Sequence, residues 1–270
     1  MPALSLLKRD WTKDHVYLVQ YPRCKIIPNA SPWSLKLETW LRMANLPYKN
    51  ISNEFKKFSS KGQAPFIEIN GRQIADTPHI IKSLEEDFHK TDLEPSSDAD
   101  RALSIALTAL IEENFVYILF AWRVKEVKAF VSENLWGRHL GSGVKAKITS
   151  ALMVRKFGKM LTTRLHVTGA GRLTDAELLK SAATTLDALS CILNTKKYFF
   201  GSPTTIDATA FSVLAQIYYT SNNKELTQCL EERKNLVDFV VRMREKYWPD
   251  WDETCTTMDM NIDWKKKLEG

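Results

Sequence analysis

An α/β domain followed by an all-helical domain is the fold class this chain predicts, and three observations predict it. Up to residue 90, short β-branched or aromatic segments alternate with segments of helical period. A polar stretch containing Pro95 follows, and beyond it the apolar residues recur with the helical period throughout. The implied boundaries are a loose leader at 1–14, the α/β domain at 15–90, a linker at 91–97, the helical domain at 98–251 and a frayed polar tail at 252–270.

Each element has a local reason. Val16 to Tyr21 is β-branched and aromatic, hence a strand. Ser31 is placed to cap a helix with Pro32 at its first position, and Leu35, Leu37, Trp40, Leu41 and Met43 turn inward. Pro47-Tyr48 ends that helix and leads into a strand through Ile51. Phe66 to Ile69 alternates as a strand, Asn70-Gly71 is a tight turn, and Arg72 to Ala75 returns. Thr77, as N-cap before Pro78, opens a helix carrying Ile80, Ile81, Leu84 and Phe88. In the second domain, helices are expected over 98–123 and 144–165, then from the Thr174–Glu177 capping box to near Asn194. Thr204 to Asp207 forms a similar box before a helix to Tyr219, and a last helix runs from about Glu231 to Tyr247.

Composition narrows the function classes. A chain of 270 residues, 44% hydrophobic and 26% charged, is ordinary for a globular protein. No uninterrupted apolar run reaches the roughly 20 residues of a membrane-spanning helix. No signal-peptide or transit pattern opens the chain. Cys24, Cys191, Cys229 and Cys255 lack paired spacing, which argues against a disulfide or zinc framework and for a reducing, cytoplasmic setting. The five histidines show no metal-ligand spacing, so no metal is expected. Between Asn134 and Thr174 there is no acidic residue, while eight Lys and Arg occur there. Removing those eight charges from the net +6 leaves the rest of the chain near −2, so the basic character is local. Its basic amphipathic helix, 144–165, is read either as a domain helix with solvated cations or as a peripheral contact with an anionic membrane. The first reading is favoured. Nucleic acid is not an expected partner, since no zinc-finger or RNA-binding signature accompanies the charge.

Three short motifs carry the chemistry. Ala64-Pro65 starts a core strand, and a cis bond there would free the Ala64 N–H and C=O for a bound peptide. Taken alone, the dipeptide favours an ordinary trans proline, because only about 5–6% of such bonds are cis. Asp76-Thr77-Pro78 would offer free helix amides to a carboxylate, with Asp76 accepting from an ammonium; alone it reads as a capped helix without a ligand. Ser31, at another helix N-terminus, could donate to a thiol sulfur, whose pKa the dipole lowers, or could serve only as a cap. Cys24 reads more readily as a small buried hydrophobe than as a redox thiol.

Together these positions resemble the glutathione-transferase pattern. The sequence is more narrowly similar to the failed axon connections family, a glutathione-transferase-like group related to the metaxins. Ser31 to Lys36, Trp40 to Ala44, Leu46-Pro47-Tyr48, Lys61 to Ile67, Asp207-Ala208-Thr209 and Tyr247 to Trp251 carry the resemblance, which spans about residues 15 to 251. It implies a thioredoxin-like N-terminal domain and an all-α C-terminal one. It also implies that Ala64, beside Pro65, holds the cysteinyl moiety of glutathione, while Asp76 and Thr77 hold its γ-glutamyl end. Ser31 falls where cysteine-type members place their thiol, and Ala30 falls where serine-type members place their hydroxyl. Asp76 is shorter than the usual Glu or Gln, and the segment Arg23 to Ala30 is long for this loop. Two functions follow. One is an interaction protein of axon development, with unidentified protein partners and glutathione as its ligand. The other is an active transferase conjugating glutathione to hydrophobic electrophiles, with Ser31 as the catalytic residue. Homodimerisation is common in such relatives. A metaxin-like role at the outer mitochondrial surface is a third reading, for which the sequence offers no obvious anchor.

Overall fold

The computed structural model describes residues 6–90, 92–131, 143–220 and 224–265. Strand β1 (Val16–Gln20) leads through a loop to α1 (Pro32–Met43), then β2 (Tyr48–Ser52), the hairpin β3 (Phe66–Ile69) and β4 (Arg72–Ala75), and α2 (Thr77–Phe88). The sheet order is β2-β1-β3-β4. β1 pairs parallel with β2, Val16 opposite Tyr48, and antiparallel with β3, Val19 opposite Phe66. The crossover through α1 is what makes the first pair parallel. At the hairpin, Asn70 and Gly71 both have positive φ, 48° and 77°, the conformation that a two-residue turn demands.

One face of the sheet buries Val16, Leu18, Ile67 and Ile69 against Leu37, Trp40 and Leu41 of α1 and Ile80, Ile81 and Leu84 of α2. The other face, Tyr17, Val19, Ile51 and Phe66, is packed by Leu7 and Trp264 from the two ends of the chain. The leader and tail are therefore not loose over their described residues. The amides of Leu7 and Lys8 both donate to the Glu68 carboxylate at 2.9 Å. Asn261 bridges to Ile51 beside β2, and the Trp264 indole donates to the Ser52 carbonyl at 2.8 Å. A strongly apolar sheet face with no helix of its own recruits the segments that can reach it.

The second domain comprises α3 (Asp98–Leu110), a π-helical turn (Ile111–Phe115), α4 (Val116–Lys125), α5 (Gly143–Thr168), α6 (Asp175–Leu193), α7 (Thr205–Tyr219), α8 (Lys224–Glu231), α9 (Lys234–Tyr247) and α10 (Trp251–Thr257). The stretch Asp98–Lys125 is long and apolar enough to cross a membrane by length and composition. In the fold its second half is core: Ile111, Phe115, Val116, Ile118 and Leu119 are buried against α6 and α7 residues such as Leu186, Phe211 and Leu214. The helix expected from about Glu231 to Tyr247 begins at Lys234, the separate α8 that ends at Glu231 was not expected, and α10 follows where fraying was expected. Arg138 and His139 of the basic stretch lie outside the described residues, as does Thr91 of the linker.

The two domains are clamped around α1. The Trp40 indole donates to Thr205 at 3.0 Å, and the Trp248 indole donates to Thr39 at 2.9 Å. Arg42 lies 3.8 Å from the Trp248 ring and forks onto Asp250 at 2.5 and 2.9 Å. Beneath it Glu38, fully buried, accepts two 2.6 Å bonds from Arg23, one of 2.6 Å from Gln20 and one of 2.8 Å from Asn50. Burial alone would raise the Glu38 carboxyl, but Arg23 outweighs it and holds the group below its ordinary range. The Tyr247–Trp251 motif is thus an interdomain anchor.

Candidate functional site

A cleft of about 610 Å³ opens between the sheet domain and the helical domain. Ser31, Ala64, Pro65, Asp76 and Thr77, five residues from three separate segments, line it together.

The Ala64–Pro65 peptide bond is cis. β3 begins only at Phe66, so Ala64 lies outside the ladder. Among the described residues, neither its N–H nor its C=O has a protein partner. Those groups are what an extended peptide needs to pair with main chain.

The start of α2 differs from expectation by one residue. Asp76, not Thr77, is the N-cap: the Ile80 amide donates to the Asp76 carbonyl at 2.8 Å, which puts Thr77 inside the first turn. Asp76 adopts φ 75°, ψ 120°, a conformation unfavourable for any residue with a Cβ. Such outliers concentrate at functional sites. With Pro78 lacking an N–H, the amides of Thr77 and His79 have no acceptor within the helix, and Thr77 itself is buried. The Asp76 carboxylate is ion-paired to Lys61 across the cleft mouth, so a ligand ammonium must share or displace that cation.

Ser31 caps α1 as expected. Its hydroxyl oxygen accepts from the Ser34 amide at 3.4 Å, and its own amide donates to the Asn29 side chain at 3.0 Å. The hydroxyl proton is not consumed by the cap, so it can still be given to a sulfur placed over the helix end. Cys24 is fully buried, and burial pushes its thiol up to about 12. It sits as a small buried hydrophobe.

The far wall is residues the sequence reading did not assign to a site. Trp33, Tyr117, Phe120, Phe157 and Met160 form an apolar half beside the polar one. Arg164 of α5 also lines the cleft, with its guanidinium 5.7 Å from the Trp33 ring. Burial raises the Tyr21 hydroxyl and Arg164 partly offsets it; burial and Glu113 raise Tyr117, again opposed by Arg164. Arg123 sits at the back, buried, and its Nη1 donates to the Ala30 carbonyl at 2.9 Å, which fixes the residue before Ser31. A signal for Arg164 did exist. It lies seven residues after Phe157 and four after Met160, on the inward side of the basic helix.

Two family models match the chain: one for the glutathione S-transferase N-terminal domain at residues 32–127, one for the C-terminal domain at 182–243. Among solved structures, a glutathione S-transferase from Rhodospirillum rubrum F11 shares the fold with a TM-score of 0.59 at 17% identity, covering 92% of this chain and 97% of its own. The molecule is a glutathione-transferase-like protein, thioredoxin-like domain first and helical domain second.

Failed axon connections of Drosophila melanogaster is 37% identical over 94% of this chain, which spans 63% of that protein's length. Metaxin-2 of Mus musculus is 24% identical over 89% of this chain and 91% of its own. The chain belongs to the failed axon connections type of glutathione-transferase-like proteins, related to the metaxins.

Proposed function

We propose that this protein binds glutathione in the interdomain cleft and acts through protein contacts in axon development, the role that the name of its Drosophila relative suggests. One observation carries the ligand: the free Ala64 main chain beside Pro65, the start of α2 and the start of α1 face a single cavity. A γ-glutamyl peptide has the complementary groups. Its cysteinyl amide pairs with Ala64, its γ-glutamyl carboxylate takes the Thr77 and His79 amides, its ammonium meets Asp76, and its thiol reaches Ser31. On this fold such a site serves a scaffold element as readily as a reaction centre.

A catalytic reading is favoured by the apolar wall. Trp33, Tyr117, Phe120 and Met160 flank the place where the sulfur would sit, and they suit a hydrophobic electrophile. In that reaction the thiol proton is first lost to solvent, the Ser31 hydroxyl donates to the resulting thiolate, and the sulfur displaces a leaving group from the electrophilic carbon, the group departing with the electron pair of the broken bond.

Calorimetric titration with glutathione, followed by an assay with a general electrophile, tests both. Saturable binding that Thr77→Ala weakens about tenfold supports the ligand assignment: the backbone amide survives that change, but the Thr77 hydroxyl, a third donor to the ligand carboxylate in this reading, is lost, and one charge-assisted hydrogen bond is worth about that much. Turnover lost in Ser31→Ala establishes the enzyme. Binding without turnover leaves the scaffold, and no heat at millimolar glutathione overturns the proposal.

A further inference from the structure

Helix α5 has two apolar faces, and among the described residues only one of them is used inside the molecule. Met153, Val154, Phe157 and Met160 pack against the helical core, and Leu161 and Leu165 are buried in it. Val144, Ile148 and Leu152 recur every fourth residue on the opposite side, with 74%, 58% and 63% of their surface exposed. Bulky aliphatic side chains so exposed, in line along about two turns, are a patch that an isolated surface residue is not. From Gly143 to Met160 no described side chain of this helix is fully buried.

The charges around the patch decide what fits it. Lys147, Arg155, Lys156 and Lys159 are exposed on the same outer side, before, between and after the aliphatic residues. The helix contains no Asp or Glu anywhere, and the acid-free run extends from Asn134 to Thr174. Aliphatic side chains rimmed by cations with no anion match an interface where hydrocarbon lies a few ångströms below a negatively charged surface. A protein partner of mixed surface charge would require acids of its own in register with the cations, and nothing in α5 supplies the reciprocal acids for orientation.

We propose that the outer face of α5 docks this protein onto the surface of an anionic phospholipid membrane, Val144, Ile148 and Leu152 entering the acyl boundary and Lys147, Arg155, Lys156 and Lys159 meeting the headgroups. The helix lies flat on the surface and does not span it. This contact is independent of the cleft, which uses the other side of the same helix through Phe157, Met160 and Arg164.

The test is co-sedimentation of the full chain with phosphatidylcholine vesicles and with mixed phosphatidylcholine–phosphatidylserine vesicles, at low and high salt. The expected result is binding to the mixed vesicles, weakened by salt, and little binding to phosphatidylcholine alone. Each cation replaced, as in Lys156→Gln or Lys159→Gln, weakens it roughly fivefold. The double variant Ile148→Ser/Leu152→Ser weakens it at least about tenfold. Both variants alter exposed side chains, and unchanged melting temperature and far-ultraviolet dichroism verify the fold. Equal binding to both vesicle types, absence of binding to either, or binding unaffected by these variants overturns the proposal. Retention on an acidic polypeptide in place of vesicles would assign the face to a protein.

Discussion

Asp76 is the residue on which the proposed glutathione geometry turns. Its left-handed backbone ends β4 and starts α2 in one step, so its carbonyl begins the helix while its carboxylate is left at the cleft mouth beside Lys61. Were Lys61 a competitor for the ligand's ammonium, Lys61→Ala would free the carboxylate; a few-fold tighter glutathione binding by titration is the expected outcome. The sequence showed that Asp76 and Thr77 belonged to a helix start but put the cap on Thr77, because Pro is favoured at the first helical position and so marks the residue before it as the cap. The strained φ of Asp76 is set by its neighbours in space and leaves no mark in composition. Glu85 makes a second point at this scale. Burial, followed by the nearby Glu94, raises its carboxyl to about 7. The folded state then holds a proton that the unfolded chain releases, so this group's contribution falls as pH rises from the ordinary glutamate range through about 7. Glu85→Gln is therefore expected to melt higher than wild type at pH 8, with the difference shrinking by pH 5; a constant difference would refute the assignment.

Helix starts were the most legible elements, and α7 shows why. The Thr204–Asp207 box closes on the Asp207 carboxylate, which accepts from the Thr204 amide at 2.7 Å, from its hydroxyl at 2.8 Å and from the Phe199 amide at 2.9 Å, while the Asp207 amide donates to the Thr204 carbonyl at 2.9 Å. The pattern is local, so a four-residue window revealed it. The Phe199 bond is not local and was invisible. Asp207→Ala leaves the buried Thr204 and Phe199 donors without their acceptor, and an expected loss of about 2 kcal/mol is measurable by urea unfolding. Other boundaries were missed for physical reasons. The break between α8 and α9 carries neither Gly nor Pro; it occurs where Arg233 turns back to donate to the Cys229 carbonyl at 2.6 Å. In α5 the cations on one side masked Arg164 on the other, since a charge count does not record which way a side chain points.

At the scale of the whole molecule, the cleft exists only because the two domains are held in register. Arg42, stacked on Trp248 and forked onto Asp250, is the half-buried edge of that clamp, and Glu38 with Arg23 is its buried centre. The Arg42 hydrogen bond holds the Asp250 carboxyl below its ordinary range. Its contribution is complete above the unfolded carboxylate pKa and is lost as pH falls through the lower folded value. Asp250→Ala is expected to cost about 2 kcal/mol by urea unfolding and to weaken glutathione binding without touching the cleft. Sequence made the order of elements and the two-domain division readable, because helix and strand periods are local. It did not show that segments near both ends pack on the sheet, since Leu7 and Trp264 meet the face of Tyr17 and Ile51 through tertiary packing that no local window of sequence records. The reading of the cleft is tested most directly by a crystal structure of the full chain grown with glutathione. The expected density places the sulfur beside Ser31, the cysteinyl main chain along Ala64 and the γ-glutamyl end at Asp76 and Thr77. An empty cleft at millimolar glutathione, or a tripeptide bound elsewhere, would contradict it.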